Sequence, residues 1–305
     1  MHDIVVVGGG PAGMTAALYA QRNGKSSLVL EKHGFGGQIT YSPKVENYPG
    51  TAQMSGNEFA DRFLDQIMAQ GAEVELEKAV AVEAAEGGGF VVRTEEGGAY
   101  PCRAVVLATG VRHRMLGLPG EEDLVGEGIS FCAVCDGDFY AGRTVCVAGG
   151  GNSALQEAIL LSSKCKEVVI LQDLPELTGE KKLQDILAAR DNVRVVTGVR
   201  IVGLETEDGA LKGVRIEEPA TGTARAVPCD GLFVAIGLIP ENGPFAAVAD
   251  LDARGYFASG EDCLTRTPGV FVAGDCRAKA IRQVTTAAGA GAGAALAACR
   301  FIDTL

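Results

Sequence analysis

The chain has 305 residues, 47% hydrophobic and 22% charged, with a formal charge of -12, which suits a two-domain globular enzyme and argues against a nucleic-acid surface, since that would need a basic face. No run of 18 apolar residues is present and the start "MHDIVVVGGG" lacks a basic n-region, so neither a membrane span nor a signal peptide is expected. Nine cysteines, an odd number and mostly isolated, do not form a secreted disulfide framework, and a reducing, cytoplasmic location is expected.

The first element, "DIVVVGGGPAGMTAALYA", reads as a buried strand, then Gly8, Gly10 and Gly13 in G-x-G-x-x-G spacing, then a small-residue helix. Gly8 permits a sharp turn, Gly10 lets a pyrophosphate approach the backbone, and Gly13 allows close helix-strand packing under the helix N-terminus. The next strand, "SSLVLE", ends at Glu31, an acid placed to accept hydrogen bonds from a ribose. A long loop with glycines, "HGFGGQITYSPKVENYPG", follows; such loops in compact domains carry function more often than not. The strand "CRAVVLATG" closes the first copy at Gly110.

"FCAVCDGDFY" then sets Cys132 and Cys135 three apart beside Asp136 and Asp138. A zinc site would want four nitrogen or sulfur ligands, and the chain offers no second C-x-x-C and only three histidines. A structural disulfide over so short a span would restrict little of the unfolded chain. A redox pair needs, besides adjacent thiols, a partner able to move electrons.

The finger recurs 141 positions after the first: "TVCVAGGGNSALQEAILLS" places Gly149, Gly150 and Gly151 after a second apolar strand, with Ala154 where the first copy has Gly13. The strand "CDGLFVAIG" closes this copy at Gly237, so the chain is read as an internal duplication whose first copy is the longer, partly through the loop at 33–50. A last element, "TPGVFVAGDCRAKAIRQVTTAAGAGAGAALAA", joins an apolar strand to Gly274 and Asp275 and then to a helix of small residues able to lie close to another backbone or a flat ring.

Two dinucleotide fingers, a central C-x-x-C-D and a terminal G-D followed by R-Q together resemble the low-molecular-weight thioredoxin reductase family, over essentially the whole chain. The resemblance implies an α/β fold of two Rossmann-like, three-layer dinucleotide-binding domains with the second inserted into the first: 1–113, an FAD domain; 114–243, a nicotinamide-type domain carrying the C-x-x-C; 244–305, the FAD domain completed. It implies FAD held by Gly8, Gly10, Gly13, Glu31, Gly37, Gln38, Asn47, Gly110, Asp275 and Gln283, through "GGQIT", "VENYPG", "AGDC" and "IRQV". It further implies that Cys135 faces and attacks the flavin, Cys132 attacks the disulfide of a thioredoxin-like protein, and Asp136 returns protons to thiolates. The family's habit is a homodimer, and no metal is expected.

One stretch departs from the family pattern. NADPH is normally held by a pair of arginines just after the strand of the second finger, because a 2′-phosphate asks for planar cationic forks. Here "EVVILQDLPELTGEKK" puts Gln172 at the position of Glu31 and Asp173 after it, with Lys181 and Lys182 the nearest cations. The expected donor is therefore NADH or a carrier such as ferredoxin rather than NADPH. Three readings stand: a reductase of a thioredoxin-like protein, a dithiol oxidase passing electrons to oxygen, and a non-catalytic flavin redox sensor.

Overall fold

The computed structural model describes residues 1–42 and 44–305, and its chain divides into two compact units, Met1–Arg112 with Ile239–Leu305, and His113–Leu238. The chain leaves the first unit and returns to it, with the dividing points one and five residues before the expected 113 and 243.

The first unit begins with strand β1 (His2–Val7), helix α1 (Pro11–Arg22) and strand β2 (Ser27–Leu30). A 3-10 turn at Gly37–Tyr41 lies in the long loop, followed by helix α2 (Gly56–Ala69), whose N-cap Ser55 accepts a hydrogen bond from the amide of Glu58. Strands β3 (Glu73–Glu75), β4 (Ala79–Ala84), β5 (Phe90–Thr94) and β6 (Ala99–Leu107) complete the first segment. Strand β6 changes character along its length. Its first half alternates exposed and buried residues and pairs antiparallel with β5, while Ala104–Leu107 is continuously buried and lies in a parallel sheet. That is the burial expected of a strand covered on one face and then on both.

At the crossing, β7 (Arg112–His113) introduces the second unit, which continues with β8 (Ile129–Ser130), the short helix α3 (Ala133–Asp136), β9 (Thr144–Ala148), α4 (Asn152–Ser162), β10 (Glu167–Leu171), α5 (Lys181–Ala188) and β11 (Val193–Val196). Three longer strands follow, β12 (Arg200–Glu207), β13 (Ala210–Glu218) and β14 (Thr223–Pro228), then β15 (Gly231–Val234). Asp208 and Gly209 join β12 to β13 with φ of 51° and 80°, the positive values that a two-residue hairpin turn demands and that Asp-Gly supplies most readily. Strand β16 (Leu238–Ile239) leads the chain back to β17 (Val270–Val272) and the long helix α6 (Val284–Asp303).

The duplication is visible in the strand orders. The first unit runs β3-β2-β1-β6-β5-β4 with β17 also paired to β6, and the second runs β11-β10-β9-β15-β8, with β12-β13-β14 as a separate antiparallel sheet. Period-two alternation along β1 sends Ile4 and Val6 to the face covered by α1 and α6, and Val5 and Val7 to the face covered by Phe245, Val248 and Phe257. This makes three layers around one parallel sheet. The second unit repeats the scheme: Val145 and Val147 pack under α4, while Cys146 and Ala148 face the antiparallel sheet through Val214 and Ile216.

Candidate functional site

The first finger is shaped by backbone bonds. Gly8 has φ +109° and its amide donates to the carbonyl of Leu30 at 2.8 Å; the Ala108 carbonyl is so close that any side chain at Gly8 would strike it. Its counterpart Gly149 has φ +117°, donates to Leu171 at 2.9 Å, and would carry a Cβ only 2.7 Å from the Ala235 carbonyl oxygen. Both fingers thus impose the same left-handed turn between strand and helix, where only glycine is unstrained. Gly13 has a second reason to be glycine, since a Cβ there would collide with the Gly8 carbonyl.

Above the finger the space is open: a Cβ on Gly10 would meet nothing nearer than the Gly36 oxygen at 3.9 Å. Gly10 also caps α1 with no side-chain hydrogen bond, so the first amides of the helix are free to bind an anion, with Pro11 preset for the first turn. Glu31 is buried, and its carboxylate accepts from the amides of Gly9 at 2.7 Å and His33 at 3.0 Å, which holds the finger to the loop that follows β2. The loop returns over the finger, where the Gly36 amide donates to the Gly9 carbonyl at 2.8 Å and Gly37 would carry a Cβ 3.3 Å from Gly10 Cα. Gln38 is exposed on the turn that follows.

Farther along, Asn47 donates to the side chain of Gln283 at 3.3 Å, tying the long loop to the N-cap of α6. Gly274 lies against α1, where a Cβ on it would be 2.7 Å from that of Ala12. The next residue, Asp275, keeps Oδ1 buried with no aligned hydrogen-bond donor, although the Lys279 ammonium is 2.8 Å away. Gly110, with φ +66°, stands three residues past β6. Of the expected cofactor residues, five cluster at the finger (Gly8, Gly10, Gly13, Glu31, Gly37), Asn47 and Gln283 form a linked pair and Asp275 lies beside the finger helix, while Gln38 and Gly110 join none of these groups. An open glycine surface, uncapped helix amides and a buried carboxylate oxygen suit a dinucleotide, whose pyrophosphate needs the first two and whose sugar hydroxyls could satisfy the third. Arg282, the arginine of "IRQV", stacks its guanidinium 4.5 Å from the Tyr256 ring and donates to the Asp275 carbonyl, although it is not among the residues expected to hold the cofactor.

In the second unit Cys132 and Cys135 form a disulfide with Cα atoms 5.3 Å apart. Cys132 is the N-cap of α3, and its sulfur accepts from the Cys135 amide at 3.2 Å. Asp136 is buried; Oδ2 accepts from the Ser130 hydroxyl at 2.6 Å and Oδ1 has no partner. Burial pushes the Asp136 carboxyl upward, a shift the Ser130 bond partly offsets. The Ser130 oxygen in turn accepts from the Cys132 amide at 3.2 Å. From α4, the carboxylate of Glu157 accepts from the Ala133 amide, and burial pushes its pKa up to about 7 despite that bond. His113 stacks on Phe131 with centroids 4.3 Å apart, and burial pulls its pKa down to about 4, leaving a neutral ring beside the segment that bears Cys132. Ser130, Glu157 and His113 lie outside the C-x-x-C-D pattern. Asp138 is exposed and pairs with Lys164 at 2.6 Å.

At the second finger Gln172 takes the place of Glu31. It is buried, and a Cβ on Gly150 would lie 2.7 Å from its amide carbon. Its own amide group reaches only the Glu176 carbonyl, at 3.4 Å. The loop 173–180 folds back so that Thr178 and Gly179 both donate to the Gly150 carbonyl at 2.9 Å, and Glu180 exchanges hydrogen bonds with Asn152, the first residue of α4. Asp173, Glu176 and Glu180 are exposed along this loop, and Lys181 pairs with Asp185 one turn further into α5.

The family model of pyridine nucleotide-disulphide oxidoreductases matches residues 2–291. Thioredoxin reductases of Listeria monocytogenes and Treponema pallidum are 35% and 36% identical to this chain over all 305 of its residues, covering 95% and 98% of those proteins. The crystal structure of thioredoxin reductase from Streptococcus pyogenes superposes with a TM-score of 0.93 at 35% identity, covering 100% of this chain and 99% of the other.

Proposed function

The chain belongs to the pyridine nucleotide-disulphide oxidoreductase family as an FAD-dependent disulfide reductase, and we propose that its substrate is the disulfide of a thioredoxin-like protein and its electron donor is not NADPH. The observation that carries the reading is the Cys132–Cys135 disulfide closed over one helical turn beside a buried Asp136 with a free carboxyl oxygen. FAD, when bound at the first finger, would supply a two-electron store between an external electron donor and the thiol pair.

The protein's own part is thiol-disulfide exchange. Reduction of the pair leaves two sulfurs; Cys132 attacks one sulfur of the substrate disulfide, forming a mixed disulfide and releasing the other substrate sulfur as a thiolate. Cys135 then attacks Cys132, which restores the bond and frees the second substrate thiolate. Asp136, buried and raised, is suited to carry the proton that converts a leaving thiolate to a thiol. The Ser130 hydroxyl fixes its rotamer through Oδ2 and so leaves Oδ1 free for that proton.

The donor reading rests on the second finger. A 2′-phosphate brought to this loop would meet Asp173, Glu176 and Glu180 and the neutral amide of Gln172, whereas NADH would bring only ribose hydroxyls, and ferredoxin would bypass the pocket. Seven further cysteines are free and buried among the described residues, which fits the proposed cytoplasmic location. The proposed assembly is a homodimer, checked by light scattering. The reading as a whole is tested by anaerobic mixing with NADPH, NADH and reduced ferredoxin in turn, followed by a thioredoxin. Thioredoxin thiols must appear with NADH or ferredoxin; oxygen consumption with a small dithiol and no thioredoxin reduction would replace it with the oxidase reading.

A further inference from the structure

Two carboxyl groups flank the C-x-x-C turn from different elements: the buried Asp136 at its end and the half-buried Glu157, which reaches the Ala133 amide from α4. We infer that Glu157 is a positioning residue that holds the Ala133 amide while the disulfide is closed and takes up a proton from solvent when the disulfide opens. The inference rests on the reading of Cys132 and Cys135 as the redox couple.

Glu157 and the Cys132 sulfur draw on amides two residues apart in the same turn, the carboxylate on Ala133 and the sulfur on Cys135. In the disulfide the sulfur is neutral, so the carboxylate is tolerated. Two electrons entering the disulfide break the S–S bond and leave two sulfur anions. One becomes a thiol by taking a proton from Asp136 or solvent. The other remains as a thiolate on a turn that already receives a half-buried carboxylate, and like charges close together raise the pKa of whichever group can protonate. A proton from solvent onto Glu157 relieves the repulsion without removing the nucleophile.

The surroundings single this group out. The ionisable residues on elements packed against α4 are Asp136 on α3, Cys146 on β9, Glu167 on β10, and Lys181, Lys182 and Asp185 on α5. Lys181 and Asp185 pair with each other and Glu167 pairs with Arg194, and of all these groups Asp136, a like charge, is the one that acts on Glu157. With the disulfide closed, Glu157 titrates at about 7. Below that pH it is already protonated and takes up nothing on reduction. Above it, reduction draws in one extra proton until the pH passes the higher value of the reduced state.

The test is the midpoint potential of the pair against pH. The holoenzyme is equilibrated with mixtures of reduced and oxidised dithiothreitol between pH 6 and 8.5, then trapped and read by mass at Cys132 and Cys135. The wild-type potential is expected to fall more steeply with pH above about 7 than below it, and Glu157→Gln, which keeps an acceptor for the Ala133 amide, is expected to lose the steeper segment and take up one proton fewer. Identical pH dependence in variant and wild type overturns the inference while leaving the redox pair intact. A pair whose trapped state never follows the dithiothreitol ratio overturns both readings. If the variant fails to fold, a wild-type potential with no steepening above pH 7 is sufficient to overturn the inference.

Discussion

The substitution Asp173→Arg examines the donor reading at its most accessible point. Asp173 is exposed at the start of the loop that folds over the second finger, so an arginine there displaces no packed atom. Gln172 is a poorer target, because it is buried against Gly150 and a larger side chain would press on the finger itself. The change removes a carboxylate from the side of the pocket a 2′-phosphate would enter and adds a planar cationic donor. A hydrogen bond to a charged group contributes about 1.5 to 3 kcal/mol, and an exposed position calls for the lower end. About 1.5 kcal/mol corresponds to roughly tenfold in affinity. NADPH lacks this contact in the wild type, and NADH, with a free ribose hydroxyl, gains little from it. Stopped-flow reduction of the flavin by each nucleotide is therefore expected to show roughly a tenfold rise in the NADPH-to-NADH ratio of rate over half-saturation, with the NADH value within about twofold of wild type. A wild-type protein already bleached by micromolar NADPH much faster than by NADH would refute the reasoning, and so would a ratio indifferent to the substitution.

Further outcomes can be checked with purified protein. Gly10→Val fills the space through which a pyrophosphate must approach, and the expected product is folded but largely colourless, read as the ratio of flavin to protein absorbance. Cys135→Ser is expected to abolish transfer from reduced flavin to any disulfide, whereas Cys132→Ser keeps the Cys135 thiolate and gains long-wavelength flavin absorbance; unchanged thioredoxin reduction in both variants would end the redox assignment. Glu157→Gln should also alter stability with a defined sign. A carboxyl raised from 4.5 to about 7 binds more protons folded than unfolded, so its cost is absent below the lower value and complete above the higher one. That cost is on the order of 2 to 3 kcal/mol, and urea titrations of the variant should show a gain over wild type at pH 8 that vanishes near pH 4.5.

Much of the fold was legible because its signals are local. A strand of four apolar residues, a glycine forced to positive φ and a helix opened by small residues lie consecutively in the chain, and their repetition after 141 positions states the duplication outright. The cysteine pair is equally local, since its partners share one helical turn; the hairpin turn at Asp208–Gly209 was not read from the sequence. The third glycine of the fingers shows where such reading stops. Spacing treats Ala154 as an acceptable stand-in for Gly13, yet a methyl group at Gly13 would strike the Gly8 carbonyl, whereas Ala154 sits in ordinary contact with its finger, 3.4 Å from where a Cβ on Gly149 would be. The outer packing of the two helices differs too: α1 is pressed by the long α6, where Gly291 closes on the Ala12 carbonyl, and α4 by the shorter α5 and the single turn of α3.

The environment of the thiols was the least legible part, and the reason is distance along the chain. Glu157 meets Ala133 across 24 positions and His113 meets Phe131 across 18, both through packing that no periodicity announces. In the sequence Glu157 belongs to the helix of the second finger, 22 residues after Cys135. In the fold its carboxylate is engaged with the redox turn. A single helix therefore bears on two chemistries: its N-terminus faces the finger of Gly149–Gly151, and its second turn supplies the acid that grips the cysteine segment. A change in how α4 sits, whether from a nucleotide at its N-terminus or from a proton on Glu157, would be felt at Ala133 through one hydrogen bond.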